Sequence, residues 1–416
     1  MRVLYGGKAG DIRYLTVTID GTDLTQCVLN IEIFQDVFTP CWSAILTLND
    51  TVNAMMEIPI RPASQVSIYI DTSTGSAAAD GSKQYDFMVY RIGDKSFQNR
   101  NQQLYKLYCA SKGFLLNQTK RIQKTYDNMK PEDAMSNIIS EFLEGSVDSE
   151  TSDNNYHIII PNWSPFTTCQ YLAKIAIKNN ASDFIFFMKD TDYYYFKTIE
   201  YLYTSEDSGV SFSMSPAGLR DDAGDFLFDY SVKLTGYKFE HYDGLGNLSA
   251  GYYQNKLLSY DMMNKNFAEK QFKFGDDNQM DAAMKPWSDP ILDSPENAHV
   301  GFQPKHEGLH EQATPQDDQD TWQTSRKCSV MKLEQDKFLL QLPGGAASWQ
   351  WLGQKCNIDV PSNQDKSFGL PFDQQFQGDF LITAQRHIIS QQYYTLNIEA
   401  VKKRHTMPMG MGGGYF

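Results

Sequence analysis

Apolar and polar positions alternate in short bursts through residues 1–115. The bursts fall at 14–19, 27–34, 42–48, 65–70, 85–92 and 103–110. A period of two sends successive side chains to opposite faces, so each burst reads as a strand with one buried side. Asp20-Gly21 supplies a turn between the first two. Short strands at regular spacing predict a sandwich or barrel. Residues 71–82 are small and polar and predict a hairpin tip, and 49–58 predict a short helix bridging two strands.

From 116 to 205 the pattern becomes mixed. Pro131, Glu132 and Asp133 open a helix, with the acids at its positive end. Ala134, Met135, Ile138, Ile139, Phe142 and Leu143 form its buried face, Gly145 ends it, and a polar loop runs over 145–155. A strand at 157–160 leads to Ser164-Pro165, where the hydroxyl is placed to accept a first-turn amide and proline costs no hydrogen bond. Phe166, Cys169, Leu172, Ala173 and Ala176 then recur at helical steps until Asn179 and Asn180 stop the helix. Aromatic strands at 184–188 and 193–202 come next, joined by the polar turn 190–192.

Strands return in 206–260, at 226–232, 235–242 and 251–261. Residues 261–327 have no hydrophobic period and are rich in Asp, Asn, Gln and Pro, with isolated Trp287, Phe302 and Trp322. They predict an irregular polar excursion lying on a neighbour. Strands resume in 328–405, at 330–334, 338–342, 355–361, 378–389 and 393–402. Residues 406–416 are a flexible Gly/Met-rich stretch with no core of their own. The expected class is α+β, mainly β: a first β-barrel (1–115), an α/β insert (116–205), and a second β-barrel (206–260 with 328–405) interrupted by the excursion.

The 416 residues are enough for two to four domains, and the 24 Tyr and 25 Phe favour strands. A net charge of −14 argues against a surface that coats nucleic acid or an anionic membrane. No apolar run approaches the ~20 residues that span a bilayer. The N-terminus lacks the apolar core of a signal peptide, so the chain is expected to start out in a cytosol. Six scattered cysteines without a Cys-x-x-Cys pair read as free, buried thiols.

The sharpest chemical pattern is His306-Glu307-Gly308-Leu309-His310. On a helix the two imidazoles would share a face and hold zinc, with Glu307 as general base. Pro304, the internal Gly308 and flanks without an apolar stripe argue against that helix. Solvated loop charge is the reading for Asp221/Asp222, Asp276/Asp277 and Asp317/Asp318/Asp320, and a satisfied structural role is the reading for His387. No phosphate loop, dinucleotide fingerprint or nucleophile elbow occurs. No catalytic residue, metal ligand or cofactor is assigned.

Several phrases carry a resemblance. They are the 17–25 phrase Val-Thr-Ile-Asp-Gly-Thr-Asp-Leu-Thr, Ile33-Phe-Gln-Asp36, and the Trp42–Asp50 run. To these add the Ser164-Pro165 helix followed by Phe184-x-Phe-Phe187 and Tyr194-Tyr-Phe-Lys197, and Ser259-Tyr-Asp261 four residues before Lys265. Near the end come Val360-Pro361, Gly378-x-Phe-Leu-Ile382, His387 and the closing strand from Tyr393. In this order they resemble phage baseplate hub proteins, which are related to the hub portion of type VI secretion spikes. The resemblance implies two tail-tube-like barrels per chain and a homotrimer whose six barrels form a pseudo-six-fold ring. Such a ring joins the tail tube, or a distal tube protein, to a central spike. It implies a structural, non-enzymatic virion protein of the tail baseplate, with baseplate wedge proteins as further partners, no membrane, and DNA only as passing cargo. No β-helix repeat occurs after residue 403, so the spike is expected to be a separate chain. Met407, Met409, Met411, Tyr415 and Phe416 are expected to touch it, and acidic groups are expected to line the channel. The alternatives are a hub component of a type VI-like contractile injection system, a zinc protease, or a carbohydrate-binding surface protein.

Overall fold

The computed structural model describes residues 10, 12–51, 60–72, 82–99, 102–214, 234–240, 243–252, 254–273, 299–306, 308, 311–345, 348–360, 376, 378–391 and 393–403. The expected strand 226–232, hairpin tip 73–81, most of the bridging helix at 49–58, Trp287 and residues 406–416 lie outside them.

The first block holds β1 (Ile12–Ile19), β2 (Thr22–Asp23), β3 (Val28–Asp36), β4 (Ser43–Asp50), β5 (Gln65–Thr72), β6 (Ser82–Asn99) and β7 (Gln102–Ala110). They pair antiparallel in the order β3-β4-β7-β6-β5-β1-β2. Alternation does what it predicts: Ile31 and Ile33, Ala44, Leu46 and Leu48, and Val66 and Ile68 all point into one core.

The insert contains α1 (Lys112–Thr119), β8 (Ile122–Met129), α2 (Pro131–Ile138), β9 (Ser146–Ser149), β10 (Tyr156–Trp163), α3 (Pro165–Ile175), β11 (Phe184–Asp190), β12 (Tyr193–Thr198) and α4 (Ile199–Thr204). β8 pairs with β10, and β11-β12-β9 form a second small sheet with β9 parallel to β12. Several local expectations change here. Ser164 does not cap α3. Its hydroxyl meets Thr167 Oγ1 at 2.8 Å, and the Phe166 amide donates instead to Asn117 Oδ1 at 2.7 Å. The cap comes from a residue 49 positions away, which local reading cannot see. α3 ends at Ile175; Asn179 and Asn180, at φ 50° and 60°, belong to the turn after it. Residues 146–149 are a strand rather than loop. The second aromatic strand stops at Thr198, whose hydroxyl accepts from Tyr201 N at 3.1 Å and starts α4.

The chain then enters the second block through β13 (Asp207–Ser213) and β14 (Gly236–Glu240). It leaves for a separate unit of α5 (Gly244–Ala250), β15 (Gln254–Asp261), β16 (Asn266–Lys273), β17 (Val300–Lys305) and α6 (Gln319–Lys332). β15 pairs antiparallel with β16 and parallel with β17, not with the second block. The stretch read as irregular excursion therefore contains two strands and most of a 14-residue helix. The helix extends over Val330–Lys332, where the sequence predicts a strand. Its buried face explains the miss. Trp322 and Cys328 are its large apolar contacts, and Thr324, Ser325 and Ser329 fill the rest. Those three hydroxyls donate to carbonyls four residues back, at 2.7, 2.7 and 3.0 Å, so they are buried without losing a hydrogen bond. A helix that packs by smallness leaves no hydrophobic period.

The second block closes with β18 (Lys337–Pro343), β19 (Lys355–Asp359), β20 (Gly378–Ser390) and β21 (Tyr394–Lys402). It pairs in the order β14-β18-β21-β20, with β19 on β20 and β13 on β19. The sequence reading treats the two β blocks as separate barrel units. The ladder runs on from one to the other through β20 and β3, giving one 13-stranded sheet.

Candidate functional site: the junction of the two β blocks

The junction is built on β20, whose 13 residues serve two partners on one edge. Gly378–Leu381 pair with β19, and Ala384–Ser390 pair with β3. Between them the register with β21 shifts at Ile382/Ala384. Thr383 sits in that bulge, fully buried. Its carbonyl accepts from Val37 N at 2.9 Å, and its hydroxyl donates to Glu399 Oε1 at 2.9 Å. A bulge bends a strand and re-aims the residues beyond it. Here it lets one strand leave the second block and enter the first.

A buried polar chain crosses the same place. Gln35 Oε1 can only accept, so His387 Nε2 donates to it at 3.1 Å. The ring's Nδ1 therefore accepts from the Tyr394 hydroxyl at 2.6 Å. Tyr394 in turn lies 3.2 Å from Ser348 Oγ and accepts from the Tyr85 hydroxyl. Gln385 Nε2 donates to Ser348 O at 3.1 Å. β3, β6, β20, β21 and the 348–350 turn are tied by these contacts. Burial pushes the His387 pKa down to about 3, so the ring is neutral and fully engaged. The sequence reading of His387 as a satisfied structural residue agrees with this geometry.

The insert braces the junction through β11. Six of its seven residues are buried, so it shows no alternation. Trp42 Nε1, from the first block, donates to Met188 O at 3.1 Å. Lys189 Nζ donates to Gln350 O at 2.6 Å and Leu352 O at 2.5 Å in the second block. Arg326 of α6 donates to Phe184 O. Val37, Phe187, Leu202, Leu352 and Leu381 close an apolar cluster shared by all three parts. Gly353, at φ +71°, lies so close that a Cβ there would stand 2.6 Å from the Phe187 ring. Lys83 Nζ bonds Asp190 Oδ1 at 2.6 Å and sits 3.8 Å over the Trp349 ring.

Among the described residues the other candidates are not brought into a reaction centre; Asp221, Asp222, Asp276 and Asp277 lie outside them. His306 comes directly after the last residue of β17, and Gly308 has φ +66°, which an α-helix excludes. A continuous α-helix through Gly308 is therefore not formed; Glu307 and His310 lie outside the described residues. No group of three or more His, Cys, Asp or Glu among the described residues is arranged to hold a metal ion. All six cysteines are free thiols, five buried and Cys41 half-buried. No described helix is long and apolar enough to cross a membrane. Met407, Met409, Met411, Tyr415 and Phe416 lie outside the described residues. The sequence reading missed Gln35, Thr383 and Lys189. Their only signal is a polar residue at a position whose neighbours demand an apolar one.

No family model and no curated protein matches the chain by sequence. Solved structures do share its fold. The tail protein from Neisseria meningitidis MC58 superposes with a TM-score of 0.59 at 10% identity, over 93% of this chain and 96% of that one. The 43 kDa tail protein of prophage MuSo2 from Shewanella oneidensis gives 0.56 at 11% identity, over 94% and 98%. The chain thus shares its fold with these two tail proteins over most of its length.

Proposed function

We propose that the chain is a structural baseplate hub protein of a phage tail. In this reading three copies form a pseudo-six-fold ring that joins the tail tube to the central spike, with wedge proteins around it and an electronegative channel for passing DNA. The observation that carries it is the continuous sheet, in which two β blocks of one polypeptide share β20. Two blocks held rigidly in each of three chains give six matching units, the simplest way to meet a six-fold tube from a three-fold spike. The full-length fold shared with two phage tail proteins supports the same role. The burial and mutual hydrogen bonding of the junction's polar groups support a structural rather than a catalytic site.

The test is the solution mass of the purified chain, followed by imaging of the particle with its neighbouring tail proteins. A 47.4 kDa chain should run at three times that mass when alone, and at that mass plus the spike's when bound to it. A particle without three-fold symmetry would overturn the reading.

A further inference from the structure

The β15–β17 unit buries one face and exposes the other. Asn255, Leu257 and Ser259 turn inward, with Asn255 donating to Thr324 O of α6 at 3.0 Å. On the opposite face, strand register sets Tyr260 beside Phe267 and Leu258 beside Phe302. Phe267 is 55% exposed and Phe302 65%, and the adjoining turn carries exposed Met262 and Met263. Together these side chains leave on the order of 500 Å² uncovered, over half of the ~800 Å² that each partner gives to a standard interface. Lys256 and Lys273 stand on the same face and Lys265 at its turn, against one outward acid, Glu269, which pairs with Lys256. On a chain of net charge −14 this is a locally basic, apolar surface.

The first block carries an aromatic face of the opposite sign. Exposed Tyr14 of β1 meets Tyr69 of β5 edge-on, with ring centroids 6.0 Å apart. Register sets Asp71 opposite Tyr14, Asp86 opposite Ser67 and Asp23 opposite Thr18. Side chains of a strand alternate, so the three acids share the outer face with both rings. Arg13, 3.9 Å from Asp71, offsets only part of that charge. Exposed Tyr90 has a different setting: it lies beside Tyr108, whose ring Arg91 covers at 5.1 Å. The β15–β17 face and the Tyr14/Tyr69 face are both exposed in the single chain, so neither covers the other. Opposite charge around two such faces favours their meeting between chains and fixes its register.

We propose that the outer face of the β15–β17 sheet seats a second copy of this chain, which docks through its own β1–β5 face around Tyr14 and Tyr69. The two surfaces differ, so the contact is head-to-tail: every copy gives one and receives one. Three such contacts close into a ring when each turns the chain by a third of a revolution. Closure rests on the ring reading above, and the two faces give that ring its subunit surfaces.

Sedimentation of the full-length chain over a range of concentrations tests it. Phe267→Ser with Phe302→Ser should raise the concentration of half-dissociation about tenfold or more, and Tyr14→Ser with Tyr69→Ser should do the same. All four side chains are exposed, and unchanged circular dichroism checks that each variant folds. Mixed where each alone is a monomer, the two double variants should form a 1:1 dimer, because each keeps the surface the other lacks. Tyr237→Ser, at an exposed aromatic outside both faces, should change nothing. A trimer retained by both double variants would overturn this contact and leave the ring reading standing. If those variants instead released a neighbouring tail protein, that protein would be the occupant and the contact would again fall. A mixture that fails to pair would overturn the head-to-tail arrangement, and a native chain that stays monomeric would overturn both readings.

Discussion

Two buried groups at single-residue scale titrate in opposite senses. His387 is held down to about 3 by burial, against an ordinary value near ~6.5. The unfolded chain therefore binds a proton that the folded chain refuses, and stability falls as pH drops from about 6.5 toward 3. Asp183 is pushed up to about 7 by burial, opposed by the Glu200 amide. Its contribution is complete below about 3.8 and is lost as pH rises toward 7. Each effect amounts to about 1.4 kcal/mol per pH unit, so across the overlap they nearly cancel. Between pH 5 and 7 the two slopes therefore oppose each other in the native chain. His387→Gln should melt higher at pH 5 than at pH 7, and Asp183→Asn should do the reverse. Equal pH profiles for all three would disprove the assignment. Trp42→Phe is a simpler case: it leaves the Met188 carbonyl buried without its 3.1 Å donor. It should cost about 1–3 kcal/mol in denaturant unfolding.

Elements differ in how far the sequence revealed them. β3 and β4 were legible because each has one wet and one dry face, which writes the period directly into the residues. β11 was legible as a strand but not as a brace, because a strand buried on both sides looks alike whatever surrounds it. α6 was invisible because, apart from Trp322 and Cys328, its packing surface is mostly serine and threonine. The α3 cap was misplaced because Asn117 reaches it through space. Contacts that depend on distant partners thus stayed hidden, and the junction consists mostly of such contacts. Two substitutions test it. Gly353→Ala forces a side chain into left-handed backbone and into the Phe187 ring. It should destabilise the chain by about 1–3 kcal/mol, measured as a lower denaturant midpoint. Lys189→Met keeps the bulk but frees the carbonyls of Gln350 and Leu352. It should lower the midpoint by a similar ~1–3 kcal/mol. A midpoint equal to the native one would show that the brace is ornamental.

For the molecule as a whole, the bulge at Thr383 decides whether two blocks remain one body. Deleting Thr383 would remove the extra residue, let Ile382 and Ala384 pair consecutively with Ala400 and Glu399, and so straighten β20 where it turns from β19 to β3. The Val37 amide would also lose the Thr383 carbonyl to which it donates at 2.9 Å, and Glu399 the Thr383 hydroxyl. The expected result is insoluble chain, or soluble chain that has lost its near-ultraviolet circular dichroism. A folded, soluble product would mean the two halves dock without their shared strand.

Because β20 passes unbroken from one half to the other, a pull between the halves travels along covalent backbone before it reaches any surface contact. Ladder bonds loaded along the strand direction resist all at once, whereas bonds peeled from an end give way singly. A component assembled this way can transmit a sudden thrust without a hinge at its midpoint to absorb the stroke.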